Sequence, residues 1–176
     1  WILRENYYTE VFPPMNKYEA LREEALKNVV KRDYFGKYVY TQLGNIDFVI
    51  ATHNTEMKQA SLFGALEKEN LKSILWAEAK QGGHHDIYES FTQLILTIGR
   101  EKTFEKHLPP KYIGSFDAEK FAFIEYHRIQ EVFYQNDFNW NVAPSNHETK
   151  EFKLLYELCK SILEENSILF RYEEQE

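Results

Sequence analysis

Two short apolar runs carry charge where a buried strand tolerates it least: Ile46-Asp47-Phe48-Val49-Ile50 and Ile74-Leu75-Trp76-Ala77-Glu78-Ala79-Lys80. An ionised group taken out of water needs a partner, so the fold must gather these charges or hold them at a sheet edge. Alternate residues of a strand share a face, which sends Glu78 and Lys80 to one side and Ala79 to the other. If the strand carrying Asp47 lies beside this one, three charged groups meet at one end of a sheet.

The surrounding pattern supplies the rest of such a fold. Tyr18, Leu21, Ala25, Leu26, Val29 and Val30 recur at helical spacing and predict a helix over Met15 to Lys31, with Asn16 as its cap and Pro13-Pro14 before it. Leu43-Gly44-Asn45 is a turn signal between strands over Tyr38 to Gln42 and Ile46 to Thr52. Glu56 to Leu71 reads as a loop plus a short helix on Leu62, Phe63, Ala65 and Leu66. Ser73 to Ala79 is a strand, broken by Gln81-Gly82-Gly83. Ile87, Phe91, Leu94, Ile95 and Ile98 mark one face of a helix from the capping Asp86 to about Gly99. His107 to Ser115 reads as loop, Lys120 to Glu125 as strand, Gln135 to His147 as ordered loop, Glu148 to Glu164 as amphipathic helix and Ile168 to Tyr172 as a last strand. The expected class is α/β, a mixed central sheet flanked by helices. Residues 1–147 are expected to form the main domain, with 148–176 a terminal helix and strand that could begin a connector to a further domain.

Composition narrows the function. With 12 Tyr and 13 Phe in 176 residues the chain is too aromatic to be disordered, and it is too short for two comfortable domains. No apolar run approaches a membrane span and no signal segment opens the chain, so a cytoplasmic protein is expected. Cys159 alone cannot form a disulfide within the chain or a cysteine metal cluster, and it reads as a packing residue. The chain begins at Trp1, which suggests a piece of a longer protein. A net charge of −7 is awkward for a chain holding DNA alone, so sequence-specific binding is expected to lie elsewhere in the parent.

Two carboxylates at a sheet edge make a hard oxygen site suited to Mg²⁺, which keeps several waters and can bind substrate phosphate as well. A lysine beside them can orient an attacking water and offset developing negative charge. Asp47 followed by Glu78-Ala79-Lys80 resembles the D…(D/E)xK signature of the PD-(D/E)xK nucleases, in the same order of helix, Asp strand, ExK strand and helix. The likeness covers about Tyr18 to Gly99, and is similar in particular to the amino-terminal endonuclease region of type IIG restriction-modification enzymes.

The resemblance implies a restriction-endonuclease-like core, Mg²⁺-dependent hydrolysis of duplex DNA, and downstream methyltransferase and target-recognition domains. It implies Asp47 and Glu78 as metal ligands and Lys80 as the residue assisting the water. It also implies a glutamate on the first helix: of Glu19, Glu23 and Glu24, at about 100° per residue, Glu19 falls nearest the apolar face. The stretch between Asp47 and Glu78 exceeds that of compact members and implies an insertion over Thr55 to Asn70. Gln93 matches a position that some members use near the site, although a polar flank of an amphipathic helix reads equally well.

Other features carry less. His84 and His85 precede a helix and could touch phosphate or metal, but exposed loop is the commoner case. His53, His107, His127 and His147 are too scattered for a zinc site. Phe133, Tyr134, Phe138 and Trp140 lack the interleaved cations of a base-stacking platform and read as packing. Glu173, Glu174 and Glu176 read as a solvated end. The rival functional reading is a non-catalytic module on a degenerate nuclease fold; a small-molecule hydrolase would require a deep apolar pocket.

Overall fold

Leu71–Ala79 (β3) is the strand around which the sheet is organised, because it is paired on both sides. The computed structural model describes residues 16–53 and 71–172. On one flank β3 meets Ile46–His53 (β2) antiparallel, with Val49 opposite Trp76 and Phe48 opposite Ala77. On the other it meets Tyr112–Phe116 (β4) in parallel, with Glu78 opposite Ser115. Val39–Leu43 (β1) pairs with β2 across the Gly44-Asn45 turn, Lys120–Glu125 (β5) follows β4, and Ile168–Arg171 (β6) closes the far edge. The spatial order is therefore the chain order, β1 to β6, and the sheet is mixed.

One parallel pair requires one crossover. It is made by Ile87–Glu101 (α2) and the short Thr103–Lys106 (α3). Phe91, Leu94, Ile95 and Ile98 of α2 pack with Phe152, Leu155, Cys159 and Leu163 of Lys150–Asn166 (α4) against Trp76, Ile113 and Ile124. Leu26 and Val30 of Glu23–Phe35 (α1) cover the other face, over Phe48, Ile50, Leu75 and Ala77. Helices on both faces explain why β3 reads as a nearly unbroken apolar run rather than as an alternating one. Burial pushes the Cys159 thiol up to about 12, so it acts as an inert packing group. Among the described residues no helix is long and apolar enough to cross a membrane.

Three expectations are corrected. The first helix begins at Glu23, not near Met15, and runs on to Phe35. Asn16 does accept a backbone bond, from the Tyr18 N–H at 3.0 Å, but it closes a local turn and caps no helix. Tyr18 nonetheless buries its ring against Tyr172, which is why the apolar spacing extends into residues that are not helical. The loop expected over His107 to Ser115 contains β4, whose positions from Ile113 to Phe116 are all buried. Strand alternation vanishes when both faces are covered, and Gly114-Ser115 removed the remaining apolar signal. Two short 3-10 helices, Tyr126–Arg128 and Gln130–Tyr134, also went unforeseen.

The α2, β5 and β6 expectations match to within a few residues, and α4 lies two residues later than expected. The expectations for Thr55 to Asn70 and for the acidic tail lie outside the described residues, while Leu71 already belongs to β3. The helix and strand expected at the end of the chain pack on α2 and β5, within the same sheet and core.

Gly99 shows how closely this core is fitted. A Cβ there would run into the indole of Trp140, which the 135–147 segment folds back over α2. Replacing Gly99 by Ala should therefore destabilise the fold by about 1–3 kcal/mol despite the better helix propensity of Ala. The urea midpoint would fall; an unchanged midpoint would mean that Trp140 yields without cost.

Candidate active site

The sheet register sets the site. Continuing the β2–β3 pairing one step beyond Phe48 and Ala77 sets Asp47 across from Glu78, on the face covered by α2. The Ala79 N–H donates to Asp47 Oδ2 at 3.3 Å, which fixes the Asp47 carboxylate at the end of β3. Glu78 is almost wholly buried, and Lys80 Nζ reaches back along the same face to donate to its Oε1 at 2.6 Å. The same ammonium donates to Gln93 Oε1 at 3.0 Å. Gln93 sits on the flank of α2, so the helix that completes the crossover also holds the lysine.

Burial first, and the neighbouring Asp47 carboxylate second, push Glu78 up to about 7, and the Lys80 ammonium offsets only part of this. Two carboxylates close together in a poorly hydrated place do not both ionise easily. Such a pair gains from any cation that can join it.

The loop leaving β3 is pinned by its neighbours. The Lys80 N–H donates to the Phe116 carbonyl, and the Ala118 N–H to the Gly82 carbonyl. Asp117, fully buried, accepts from the backbone of Glu119 and Lys120, from Lys120 Nζ at 2.7 Å and from the His85 N–H at 3.2 Å. Asp86 caps α2 through the Tyr88 and Glu89 N–H groups and receives the Tyr156 hydroxyl at 2.7 Å. His84 is exposed beside Glu119, and the His85 ring contacts the Gln81 carbonyl.

Glu19 is the expected site residue that the structure treats differently. It lies in the turn before α1, is exposed, and is not gathered with Asp47 and Glu78. The first turn of α1 instead carries Glu23 and Glu24, which clasp the buried Lys27, at 3.7 Å in the case of Glu23. Burial alone would pull the Lys27 ammonium down, but Glu24 and then the Asp47 charge outweigh it and hold it above the ordinary lysine value. A lysine between Leu26 and Val30 on the apolar stripe of a helix was the available sequence signal. Ser115, opposite Glu78, was missed with its strand; its hydroxyl is buried and has no hydrogen-bond partner.

Among the described residues no group of three or more His, Cys, Asp or Glu stands ready to hold a metal ion. A site formed by Asp47 and Glu78 would take two protein ligands and leave the other positions to water and substrate, a donor set that fits Mg²⁺ and not zinc. No family model, curated protein or solved structure matches the chain.

Proposed function

We propose that the chain is the endonuclease module of a larger enzyme, built on a restriction-endonuclease-like core and hydrolysing DNA phosphodiester bonds with Mg²⁺, as in type IIG restriction-modification enzymes. One observation carries the reading: Glu78 is buried against Asp47, with Lys80 held between Glu78 and Gln93. Unlike the buried Asp117–Lys120 pair, which pins a loop, Glu78 faces a second carboxylate as well as its lysine, and that surplus of negative charge is what a cation would offset.

Mg²⁺, when bound, supplies charge stabilisation at the phosphoryl oxygens and lowers the pKa of a water. Asp47, near the start of β2, and Glu78, near the end of β3, would hold that cation. Lys80 presents its ammonium to the attacking water and to the charge growing on phosphorus oxygens, and Gln93 fixes its direction. Duplex DNA is the substrate, and target recognition and the methyltransferase belong to the rest of the parent, in the cytoplasm.

A thermal melt with Mg²⁺ or Mn²⁺ tests the metal site directly. At about ten times the dissociation constant, binding to the native state adds about 1.4 kcal/mol, or roughly 3–5 °C for a chain of this size. Protons compete for Glu78, whose carboxyl titrates near 7, so the shift should be full at pH 8 and small at pH 6. No shift at millimolar metal at pH 8 would favour the second reading, a non-catalytic module in which Glu78 and Lys80 are a structural pair. The lack of a three-residue ligand group is the observation on that side.

A further inference from the structure

A second charged region lies along the turn that leads into Asp47. Leu43 and Gly44 of the β1–β2 hairpin, with Arg100, Lys102, Lys106 and His107 from the end of α2 and from α3, surround a recess of about 330 Å³. Glu101, the carboxylate in its wall, is turned inward: it accepts from the Asn45 N–H at 3.3 Å and from the Asn45 side-chain amide. Gly44 is at φ +54°, and a Cβ there would strike the Glu101 carboxylate, so the hairpin and the helix end are locked together.

The cations are left facing outward. Arg100, Lys102 and Lys106 are exposed, and Lys106 Nζ donates to the Glu101 carbonyl at 2.7 Å. None of the three forms an ion pair among the described residues, a condition they share with Lys150 and Lys160 on α4, so what sets them apart is their clustering round one recess. Residues 100–106 set three cations against two carboxylates, Glu101, which is turned to Asn45, and Glu105, so this corner has a positive excess in a chain of net charge −7. Gly44 and Asp47 are three residues apart, at most about 10 Å of extended chain. That is about the axial rise of three nucleotides of one strand.

We propose that this corner is the seat of the phosphodiester backbone of duplex DNA beside the cleaved bond, with Arg100, Lys102 and Lys106 as its phosphate contacts. The proposal rests on the nuclease reading for its substrate. It explains how an acidic chain engages a polyanion without reading sequence: these contacts position the duplex and leave specificity to other parts of the parent.

The test is binding of a fluorescent DNA duplex without divalent metal, across a salt series, for the chain and for an Arg100→Gln, Lys102→Gln, Lys106→Gln variant. A charge-matched Lys150→Gln, Lys153→Gln, Lys160→Gln variant serves as control. Its charges lie on α4, which meets the opposite end of α2 through Tyr156 and Asp86. The corner variant should weaken binding roughly a hundredfold at about 0.1 M salt and reduce the log–log salt slope by about two to three; the control should change neither by much. Equal losses in both variants, no loss in the corner variant, or no binding by the parent chain would overturn the proposal. The nuclease reading is judged separately by cleavage in Mg²⁺. A chain that binds through the corner but never cuts loses that reading and keeps the phosphate seat, whereas a chain that cuts without using the corner does the reverse.

Discussion

Asp47→Asn should abolish DNA cleavage while leaving the fold and DNA binding in place. The asparagine side chain still offers an oxygen to the Ala79 N–H, which Asp47 engages at 3.3 Å, so the end of β3 keeps its geometry. What disappears is one of the two carboxylates that would hold Mg²⁺. Lys80→Ala removes the ammonium that touches both Glu78 and Gln93. Losing a metal ligand or a preorganised cation costs roughly 10²–10⁴ in turnover, and both variants should fall in that range or below detection in a plasmid-nicking assay. Gel-shift affinity measured without metal should change less than about threefold, since a single phosphate contact is the most either side chain adds. Full cleavage by both variants would sink the assignment. Loss of binding together with cleavage would mean that the residues support the fold instead.

The two variants should also differ in one physical respect. Removing Asp47 takes away the like charge that helps push Glu78 up to about 7, so Glu78 ionises more readily in Asp47→Asn. Removing Lys80 takes away the neighbouring cation, so Glu78 ionises less readily still. The pH at which the native state titrates should therefore move down in one variant and up in the other. Two mutations that both abolish activity would be told apart by a carboxyl that neither of them alters.

The convergence of Asp47, Glu78 and Lys80 was legible because it rests on period-2 geometry and on the expense of burying charge, both of which are local in sequence. Their pairing partners were not. Gln93 reads as an ordinary polar flank of α2 until the crossover carries it over Lys80. Ser115 lies in β4, which is interior to the sheet and so lacks alternation. Glu19 falls nearest the apolar face only if the helical spacing extends through Tyr18 and Leu21, which pack from a turn. The helix proper starts at Glu23, and that moves the acidic first turn four residues along the chain. The role of Asp117 in fixing the β3 to α2 loop depends on a contact with His85, 32 residues away.

Glu78→Gln should give a protein that is more stable than the parent without metal above neutral pH, and inactive. A carboxyl whose native pKa is raised contributes stability that is fully present below its unfolded value near 4.5 and is lost as pH rises through about 7. At pH 8 the parent therefore carries the full penalty of an ionised Glu78 beside Asp47. At about 1.4 kcal/mol per unit of displacement that penalty is a few kcal/mol, a sizeable fraction of the stability of an ordinary domain. Glutamine has nearly the same shape and no charge to bury, so the urea-derived stability of Glu78→Gln should be nearly flat between pH 5 and pH 8, while that of the parent declines. Mg²⁺ or Mn²⁺ should restore the parent at pH 8 and leave the variant unchanged, because the cation and the proton answer the same buried charge. A parent whose stability is flat across this range, or a variant that gains as much from metal as the parent does, would show that Glu78 is not held at that cost for the sake of a cation. If the crossing of the two responses is found, the instability at β3 and the chemistry proposed there have one cause: two carboxylates kept so close together that a proton or a divalent cation must offset their charge.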